Sequence, residues 1–181
     1  MHARIKPAWA GARLAAPAYP VACRAGDNLA VHVAVARAPA GSALAVNAHQ
    51  EELGFWGEVL TTAAEARGLT GLVIDGCVRD IAALESHRFA VFSTGVALPG
   101  AAKVAGGSVG RPTLVGDVGV EPGDWLVGDA DGVVVVPGAQ LDQVAAAGTA
   151  RQQRESGLFD RLRAGATTLE LLGLDASNVD E

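Results

Sequence analysis

The apolar segments of this chain are short, and turn residues separate them. Between residues 89 and 137 short apolar runs alternate with turns rich in glycine, proline and aspartate. Such spacing is typical of β-strands, because a helix needs a longer segment to bury one face. The predicted strands of this part are Val91–Phe92, Thr113–Val115, Val118–Val120, Trp125–Val127 and Val133–Val136.

The rest of the chain combines helices with three further strands. Strands are predicted at 18–22, 43–47 and 71–75, and the last of them is an apolar run of the buried kind. Glycines and capping residues delimit the helices. The predicted helices are a short one after Asp27, 59–67, 79–85, 139–163 and a final turn at 167–172.

These elements predict one α/β domain with a mixed, largely β middle and a C-terminal helix. A length of 181 residues fits a single domain with a real core. The predicted division is an irregular N-terminal arm at 1–14, a domain at 15–175 and a tail at 176–181.

Charge and composition exclude several classes of function. The chain has 20 acidic against 14 basic residues, and a net charge of −6 argues against a nucleic-acid-binding surface. No apolar run approaches the roughly 20 residues of a membrane span, and no secretory signal is evident. Two cysteines form neither a disulfide framework nor a zinc cluster, so a cytoplasmic protein is expected. A mean hydropathy of +0.27 suggests apolar surface buried between subunits.

Two segments carry side chains suited to a small anionic ligand. Residues 56–60 (WGEVL) place a glycine and Glu58 at a helix start, where free N–H groups attract anions. Residues 76–80 (GCVRD) join a strand to the next helix and supply Arg79 and Asp80. A guanidinium binds a carboxylate or keto oxygen, and a carboxylate is a hard ligand for a divalent cation. Because a helix, turn and strand bring the chain back to the same end of the sheet, both segments are predicted to line one pocket.

Simpler roles are open for the same residues. Asp80 could cap the helix that it begins. Arg79 could pair on the surface with Asp75 or Glu85, and Glu58 could be the carboxylate favoured in any first helical turn. Residue types and spacing alone do not choose between these roles and a ligand site.

The same segments resemble the RraA-like family, the class II aldolases of 4-hydroxy-4-methyl-2-oxoglutarate and 4-carboxy-4-hydroxy-2-oxoadipate. That family's motif is an Asp, twenty residues and then Arg-Asp; here Glu58 is followed by residues 59–78 and Arg79-Asp80. The resemblance covers residues 15–175 and implies a swivelling-type α/β/β sandwich. It includes the segments GDNL at 26–29, GLVIDGCVRD at 71–80, PGD at 122–124 and DADGVVVVP at 129–137.

The resemblance implies a role for each matching residue. Asp80 would bind a divalent metal, Mg²⁺ or Mn²⁺, directly. Arg79 would hold the pyruvyl part of the substrate and its developing enolate oxygen. The backbone N–H groups of Val59 and Leu60 would bind the substrate carboxylate.

Two further carboxylates would act through water. Glu58 would hold a metal-bound water, and Glu155 on the C-terminal helix would reach the metal shell of a neighbouring subunit. The resemblance accordingly implies a homo-trimer or a dimer of trimers, with the active site between subunits.

Three features depart from the family pattern. Glu58 replaces the motif's Asp and is one methylene longer, and we expect its role to survive. We expect the chain to lack the N-terminal helical stretch of family members, which can give another acidic residue to the neighbouring site. Gly110 stands where the family often has Asn.

The expected function is metal-dependent cleavage of 4-hydroxy-2-oxo-dicarboxylates to pyruvate and a 2-oxo acid. Oxaloacetate decarboxylation passes through the same pyruvate enolate and is expected as a second activity. A Schiff-base aldolase would need Lys6 or Lys103, the only lysines. The alternative is a non-catalytic regulator of ribonuclease E that acts by binding protein. The expected partners are a small 2-oxo acid and copies of this chain, without nucleic acid or membrane.

Overall fold

The computed structural model describes residues 1–179, which form two compact units at 1–139 and from 140 onward. The strands are β1 (Lys6–Pro7), β2 (Leu14–Cys23), β3 (Ala43–Asn47), β4 (Gly54–Trp56), β5 (Gly71–Asp75), β6 (Cys77–Val78), β7 (Ala90–Ser93), β8 (Gly95–Val96), β9 (Gly107–Val109), β10 (Thr113–Val115), β11 (Val118–Val120), β12 (Trp125–Gly128) and β13 (Val133–Val136). The helices are α1 (Leu29–Arg37), α2 (Glu58–Ala66), α3 (Ile81–His87), α4 (Leu141–Arg163) and α5 (Thr168–Leu172).

The main sheet is mixed and has the order β1-β7-β5-β3-β2-β12-β13, with β9 also paired to β2. Strands β2, β3, β5 and β7 run parallel, and β1, β9 and β12 pair antiparallel to their neighbours. The ten-residue strand β2 links the two parts. Its first half pairs with β12 and its second half with β3. The predicted mixed α/β fold with a C-terminal helix is confirmed.

Buried side chains form separate cores on the two faces of this sheet. Leu44 and Val46 of β3 belong to a core that includes residues of α1, α2 and α3. Ala43 and Ala45 point to the other face, where Val115 of β10 and Val120 of β11 pack. Because successive strand residues alternate between faces, a run that is apolar at every position is buried on both sides. The layers are therefore helices, main sheet and a second layer of short strands.

A small parallel sheet, with the order β4-β6-β8, lies outside the main one. Each of these strands has only two or three residues. The sequence predicts none of them, since so short a segment shows no periodicity. This sheet carries the two segments that were predicted to share a pocket.

The N-terminal arm is more firmly attached than its irregular sequence suggests. Ile5 is buried, and β1 pairs with β7. The Arg4 guanidinium forms two hydrogen bonds of 2.9 Å to the buried carboxylate of Asp75. It also binds Asp117 at 2.9 and 3.0 Å, and these bonds lower the pKa of the Asp117 carboxyl.

Replacing Arg4 by Met is expected to lower the free energy of unfolding by about 3 kcal/mol, the size of loss found when one partner of a buried ion pair is removed. The Asp75 side chain is only 8% exposed, and the variant leaves its charge with the Gly116 N–H as hydrogen-bond donor. Urea unfolding at pH 7 measures the change. Arg13→Met, at an exposed position, is the control and should change stability by less than about 0.5 kcal/mol. Equal effects of the two variants would contradict the prediction.

The C-terminal unit consists of α4 and α5. Helix α4 has no buried residue within this chain. Helix α5 begins with a capping box in which the Thr167 hydroxyl accepts from the Glu170 N–H and the Glu170 carboxylate accepts from the Thr167 N–H. None of the helices within residues 1–179 combines the length and apolar character that a membrane crossing requires. The predicted tail at 176–181 ends with two residues that lie outside the described part.

Candidate functional site

The two predicted segments meet at the ends of β4 and β6. These strands are parallel, with Trp56 opposite Val78, so the two segments that follow them leave the small sheet at the same edge. The Arg79 N–H donates to the Trp56 carbonyl oxygen at 2.9 Å and joins the two exits directly. The chain then enters α2 from one strand and α3 from the other. Backbone pairing therefore brings together residues that are 22 positions apart in the sequence.

Asp80 holds an unusual position between these exits. Its backbone is left-handed, with φ of 60°, and its side chain forms no capping hydrogen bond to α3. Instead, Asp80 Oδ2 accepts from the backbone N–H of Glu58 at 3.0 Å. Among the described residues no hydrogen bond engages Asp80 Oδ1. A simple capping role for α3 is therefore wrong, and one carboxylate oxygen is free for a ligand.

The Arg79 guanidinium forms one long ion pair, with Nε 3.7 Å from Asp80 Oδ2. Within residues 1–179 it forms none with Asp75 or Glu85, the surface partners that the sequence offered. Asp75 is instead bound by Arg4. With a side chain 42% exposed, Arg79 keeps most of its donors available.

Glycines make room for the Arg79 side chain. A Cβ on Gly54 would lie 3.1 Å from Arg79 Cδ and 2.7 Å from a backbone oxygen. A Cβ on Gly57 would overlap Asp80 Oδ2 and lie 3.0 Å from Arg79 Cγ. A Cβ on Gly100 would lie 3.7 Å from Arg79 Nη1, which is an ordinary contact. Close approach therefore explains the glycines at positions 54 and 57, neither of which has a positive φ.

A cavity of about 260 Å³ opens beside Arg79. It includes the start of α2, where Gly57, Val59 and Leu60 contribute to the wall. Glu58 N–H is used by Asp80, whereas the next N–H groups of a helix have no intrahelical acceptor. The cavity is lined by Asn28, His32, Gly54, Phe55, Trp56, Gly57, Val59, Leu60, Arg79, Gly100, Ala101 and Lys103.

The Glu58 carboxylate lies at the start of α2 and is 58% exposed. Its Oε1 is 3.8 Å from Nε2 of His87, whose Nδ1 is 2.8 Å from Glu65 Oε2. Glu58 thus joins Asp80 only through its backbone N–H, and its side chain is turned toward α3. Its predicted role through water stays a prediction.

Three polar residues, Asn28, His32 and Lys103, also contribute to the wall of the cavity. Asn28 Nδ2 donates to the Phe55 carbonyl oxygen at 2.8 Å, which fixes the amide so that Oδ1 can only accept. Both Asn28 Oδ1 and His32 Nε2 are buried without a hydrogen-bond partner in the described part of the chain. No role for Asn28 or His32 was predicted from the sequence. Their four-residue spacing at the start of α1 was a weak signal.

Two charged side chains, Asp27 and Lys103, lie near this part of the cavity. The buried Asp27 carboxylate loses hydration, which raises its pKa, but hydrogen bonds from the backbone N–H groups of Val104, Ala105 and Leu29 outweigh this and lower it. These bonds fix the loop that carries Lys103. Burial and, to a smaller extent, the Lys103 charge lower the pKa of His32.

Glu155 lies in the C-terminal unit, on α4. Its Oε1 accepts from Arg151 Nε at 2.6 Å, one helical turn away, and this bond raises the pKa of the Arg151 guanidinium. The predicted contact of Glu155 with a neighbouring subunit stays a prediction.

The donor set beside the cavity suits one kind of cation. Within residues 1–179 no three His, Cys, Asp or Glu side chains cluster as a metal site. A single free carboxylate oxygen on Asp80 fits Mg²⁺ or a similar hard ion, which keeps several waters and takes one or two carboxylates from protein. It does not fit a structural zinc centre, which needs four protein ligands.

The fold and this site define a known class of proteins. The family model described as RraA-like: Aldolase/RraA matches residues 1–135, and the chain belongs to this family. A relative from Halalkalibacterium halodurans, named "putative 4-hydroxy-4-methyl-2-oxoglutarate aldolase", is 33% identical over 171 residues, which cover 92% of this chain and 81% of the relative.

Solved structures agree with this assignment. An uncharacterised protein from Pseudomonas syringae pv. tomato superposes with a TM-score of 0.82 at 28% identity, covering 91% of this chain and 77% of that one. The RNA-processing inhibitor RraA from Thermus thermophilus superposes with a TM-score of 0.69 at 27% identity, covering 76% of this chain and 84% of its own. Both aldolase and regulator names therefore occur among the similar proteins.

Proposed function

We propose that this protein is a divalent-metal-dependent lyase. It cleaves 4-hydroxy-2-oxo-dicarboxylates, such as 4-hydroxy-4-methyl-2-oxoglutarate, to pyruvate and a second 2-oxo acid. The observation that carries the proposal is that Arg79 and the start of α2 line one cavity, while Asp80 is hydrogen-bonded to that same helix start and lies 3.7 Å from Arg79 Nε. Names of relatives support a lyase, and the metal requirement is inferred from the donor set.

The start of α2 and Arg79 bind different groups of the substrate. The N–H groups of Val59 and Leu60 receive the carboxylate next to the keto group, because the start of a helix carries partial positive charge. The planar fork of Arg79 faces the keto oxygen. Retro-aldol cleavage moves the C3–C4 electron pair into a pyruvate enolate, and a fixed guanidinium stabilises the negative charge on its oxygen.

Asp80 would hold the cation directly, and Glu58 would contribute through water. A bound divalent cation supplies Lewis-acid stabilisation of charge on the keto oxygen. The protein itself fixes the side chains that would hold the cation and the substrate. The Glu58 N–H orients Asp80, and close packing against Gly54 and Gly57 orients Arg79. The Glu155 residue of a neighbouring copy in a trimer or hexamer would complete the acidic shell.

Oxaloacetate is proposed as a second substrate. Loss of its C4 carboxylate as CO₂ leaves the same enolate, and the same Arg79 stabilises it. This activity requires no change in the site and serves as an independent test of enolate formation.

Pyruvate release measured with Mg²⁺ or Mn²⁺, and again with EDTA, tests the lyase. We expect turnover of oxaloacetate and of 4-hydroxy-4-methyl-2-oxoglutarate in the presence of the metal. EDTA should lower both rates by at least about 100-fold, since a cation contributes several kcal/mol of charge stabilisation. Restoring the metal should restore the rate. Labelling by borohydride in the presence of pyruvate would instead indicate a Schiff base on a lysine.

The structural similarity to the Thermus regulator supports a second candidate, inhibition of ribonuclease E through protein binding. Such inhibition would not need the cation. Inhibition of RNA cleavage that persists in EDTA, together with absence of pyruvate release, favours the regulator over the lyase.

A further inference from the structure

A side-chain hydrogen bond spans the connection between β4 and α2. Trp56 is the last residue of β4, Gly57 follows it, and α2 begins at Glu58. The indole Nε1–H of Trp56 donates to the Thr61 hydroxyl oxygen at 2.7 Å. The same hydroxyl donates to the Gly57 carbonyl oxygen at 3.2 Å. Thr61 therefore links the end of the strand, the glycine and the helix.

This bond fixes the direction in which the chain enters α2. A contact between the residue before the N-cap and the fourth residue of a helix sets the entry angle of the chain. Trp56 and Thr61 hold these two positions around the N-cap Gly57, which, as a glycine, restricts the backbone least. Trp56 is 1% and Thr61 0% exposed, so neither side chain can replace the bond by one to solvent while the packing is intact.

Trp56 is also bonded to the segment that carries Arg79. Its carbonyl oxygen accepts from the Arg79 N–H at 2.9 Å. Its ring stacks on Phe89, with ring centroids 5.9 Å apart and an angle of 12° between the planes. Trp56 is thus joined through its backbone to Arg79 and through its side chain to α2, and both of these elements line the same cavity.

We infer that Thr61 is a positioning residue for the end of the site that binds the keto acid. This inference rests on the proposed function, in which the Val59 and Leu60 N–H groups hold the substrate carboxylate and Arg79 faces the keto oxygen. The carboxylate and the keto group are on neighbouring carbon atoms, so the groups that bind them must keep a fixed separation. The buried Thr61 hydroxyl acts on that separation through Trp56 and does not touch the substrate.

Thr61→Val keeps the shape of the side chain but removes the hydroxyl group, which leaves the Trp56 N–H without its acceptor. Leaving a buried donor unpaired is costly, so the indole should shift. Misplacement of a catalytic group by about 1 Å can cost about 100-fold in rate, and for a partial loosening we expect kcat/KM to fall about 10-fold for both substrates. Inhibition by pyruvate, which has only the keto acid end, should weaken by about the same factor.

Two further variants separate positioning from stability. Thr61→Ser keeps the hydroxyl group but lacks the buried methyl group, so it should melt at a lower temperature and yet keep kcat/KM within about threefold of wild type. Thr62→Val is the matched control, because Thr62 is exposed and its hydroxyl donates to the Glu58 carbonyl oxygen at 3.0 Å within α2. We expect it to stay within about twofold of wild type. A merely structural role of Thr61 would instead make activity follow the melting temperature in all three variants.

The outcomes are distinguishable. If wild-type protein with metal releases pyruvate from neither substrate, the proposed function itself fails. If wild type is active and Thr61→Val is no slower than Thr62→Val, or Thr61→Ser loses as much activity as Thr61→Val, the role of Thr61 is overturned and the lyase stands. Should Thr61→Val not fold, Trp56→Phe, which removes the donor of the same bond, replaces it; an equal fall in kcat/KM then supports the assignment, and wild-type kcat/KM overturns it.

Discussion

Asp80→Asn is expected to lower pyruvate release from both substrates by about 1,000-fold, which corresponds to losing about 4 kcal/mol of charge stabilisation. Asn accepts the left-handed backbone that this position requires. Its amide oxygen can still accept from the Glu58 N–H. The fold and the start of α2 should therefore persist, while the charge that binds a cation is lost.

Asp117→Asn is a closely matched control for that substitution. Asp117 also has a left-handed backbone, with φ of 64°, but its side chain binds Arg4 rather than the start of α2. We expect its turnover to stay within about twofold of wild type, as for most surface substitutions. Titration of Mn²⁺ into both variants, followed by electron paramagnetic resonance, should show weakened binding only for Asp80→Asn. Wild-type turnover by Asp80→Asn would contradict the proposed site.

Gly57→Ala is the second substitution with a large expected effect. The backbone of Gly57 is extended, with φ of −167°, so alanine is compatible with its conformation. The added methyl group would, however, overlap Asp80 Oδ2 and lie 3.2 Å from Arg79 Nε. Both side chains must move, and displacement of a catalytic group by about 1 Å can cost about 100-fold in rate.

We therefore expect kcat/KM of Gly57→Ala to fall by about 100-fold for both substrates. Thermal unfolding should show a smaller change, since the displaced side chains are partly exposed. Gly119→Ala is the control, because a Cβ there meets no atom within 4 Å. Equal activity of the two alanine variants would show that the tight contact at Gly57 does not position the site.

Buried, fully apolar strands were the most predictable parts of the fold. The bounds of β3 and β5 agree with the sequence prediction, since glycine, serine and polar turns limit each run. Helices were predicted in the right places but with ends shifted by one or two residues, as for α2 and α3. Helix ends depend on capping contacts that residue types do not settle alone.

The candidate site was predictable in part for a similar reason. A helix, turn and strand connect residues 58 and 79, so local topology brings these segments to one edge. The carboxylate of Asp80 was also expected to face a ligand, though its bond to the Glu58 N–H was not foreseen. The three short strands of the small sheet, which bring the segments around Glu58 and Arg79 close together, were not predicted.

By itself, the sequence determined the class of fold, the family and the residues of the Arg-Asp motif. Each of these depends on local patterns: apolar runs, turn residues and the fixed spacing after Glu58. Only the tertiary structure decided which side chains share the cavity. His32 and Lys103 are 71 positions apart, and they line the same cavity as Arg79 because of the tertiary fold rather than any local spacing. Only the tertiary structure shows that Asn28 Oδ1 and His32 Nε2 are unpaired, because whether a polar atom finds a hydrogen-bond partner depends on how the chain packs.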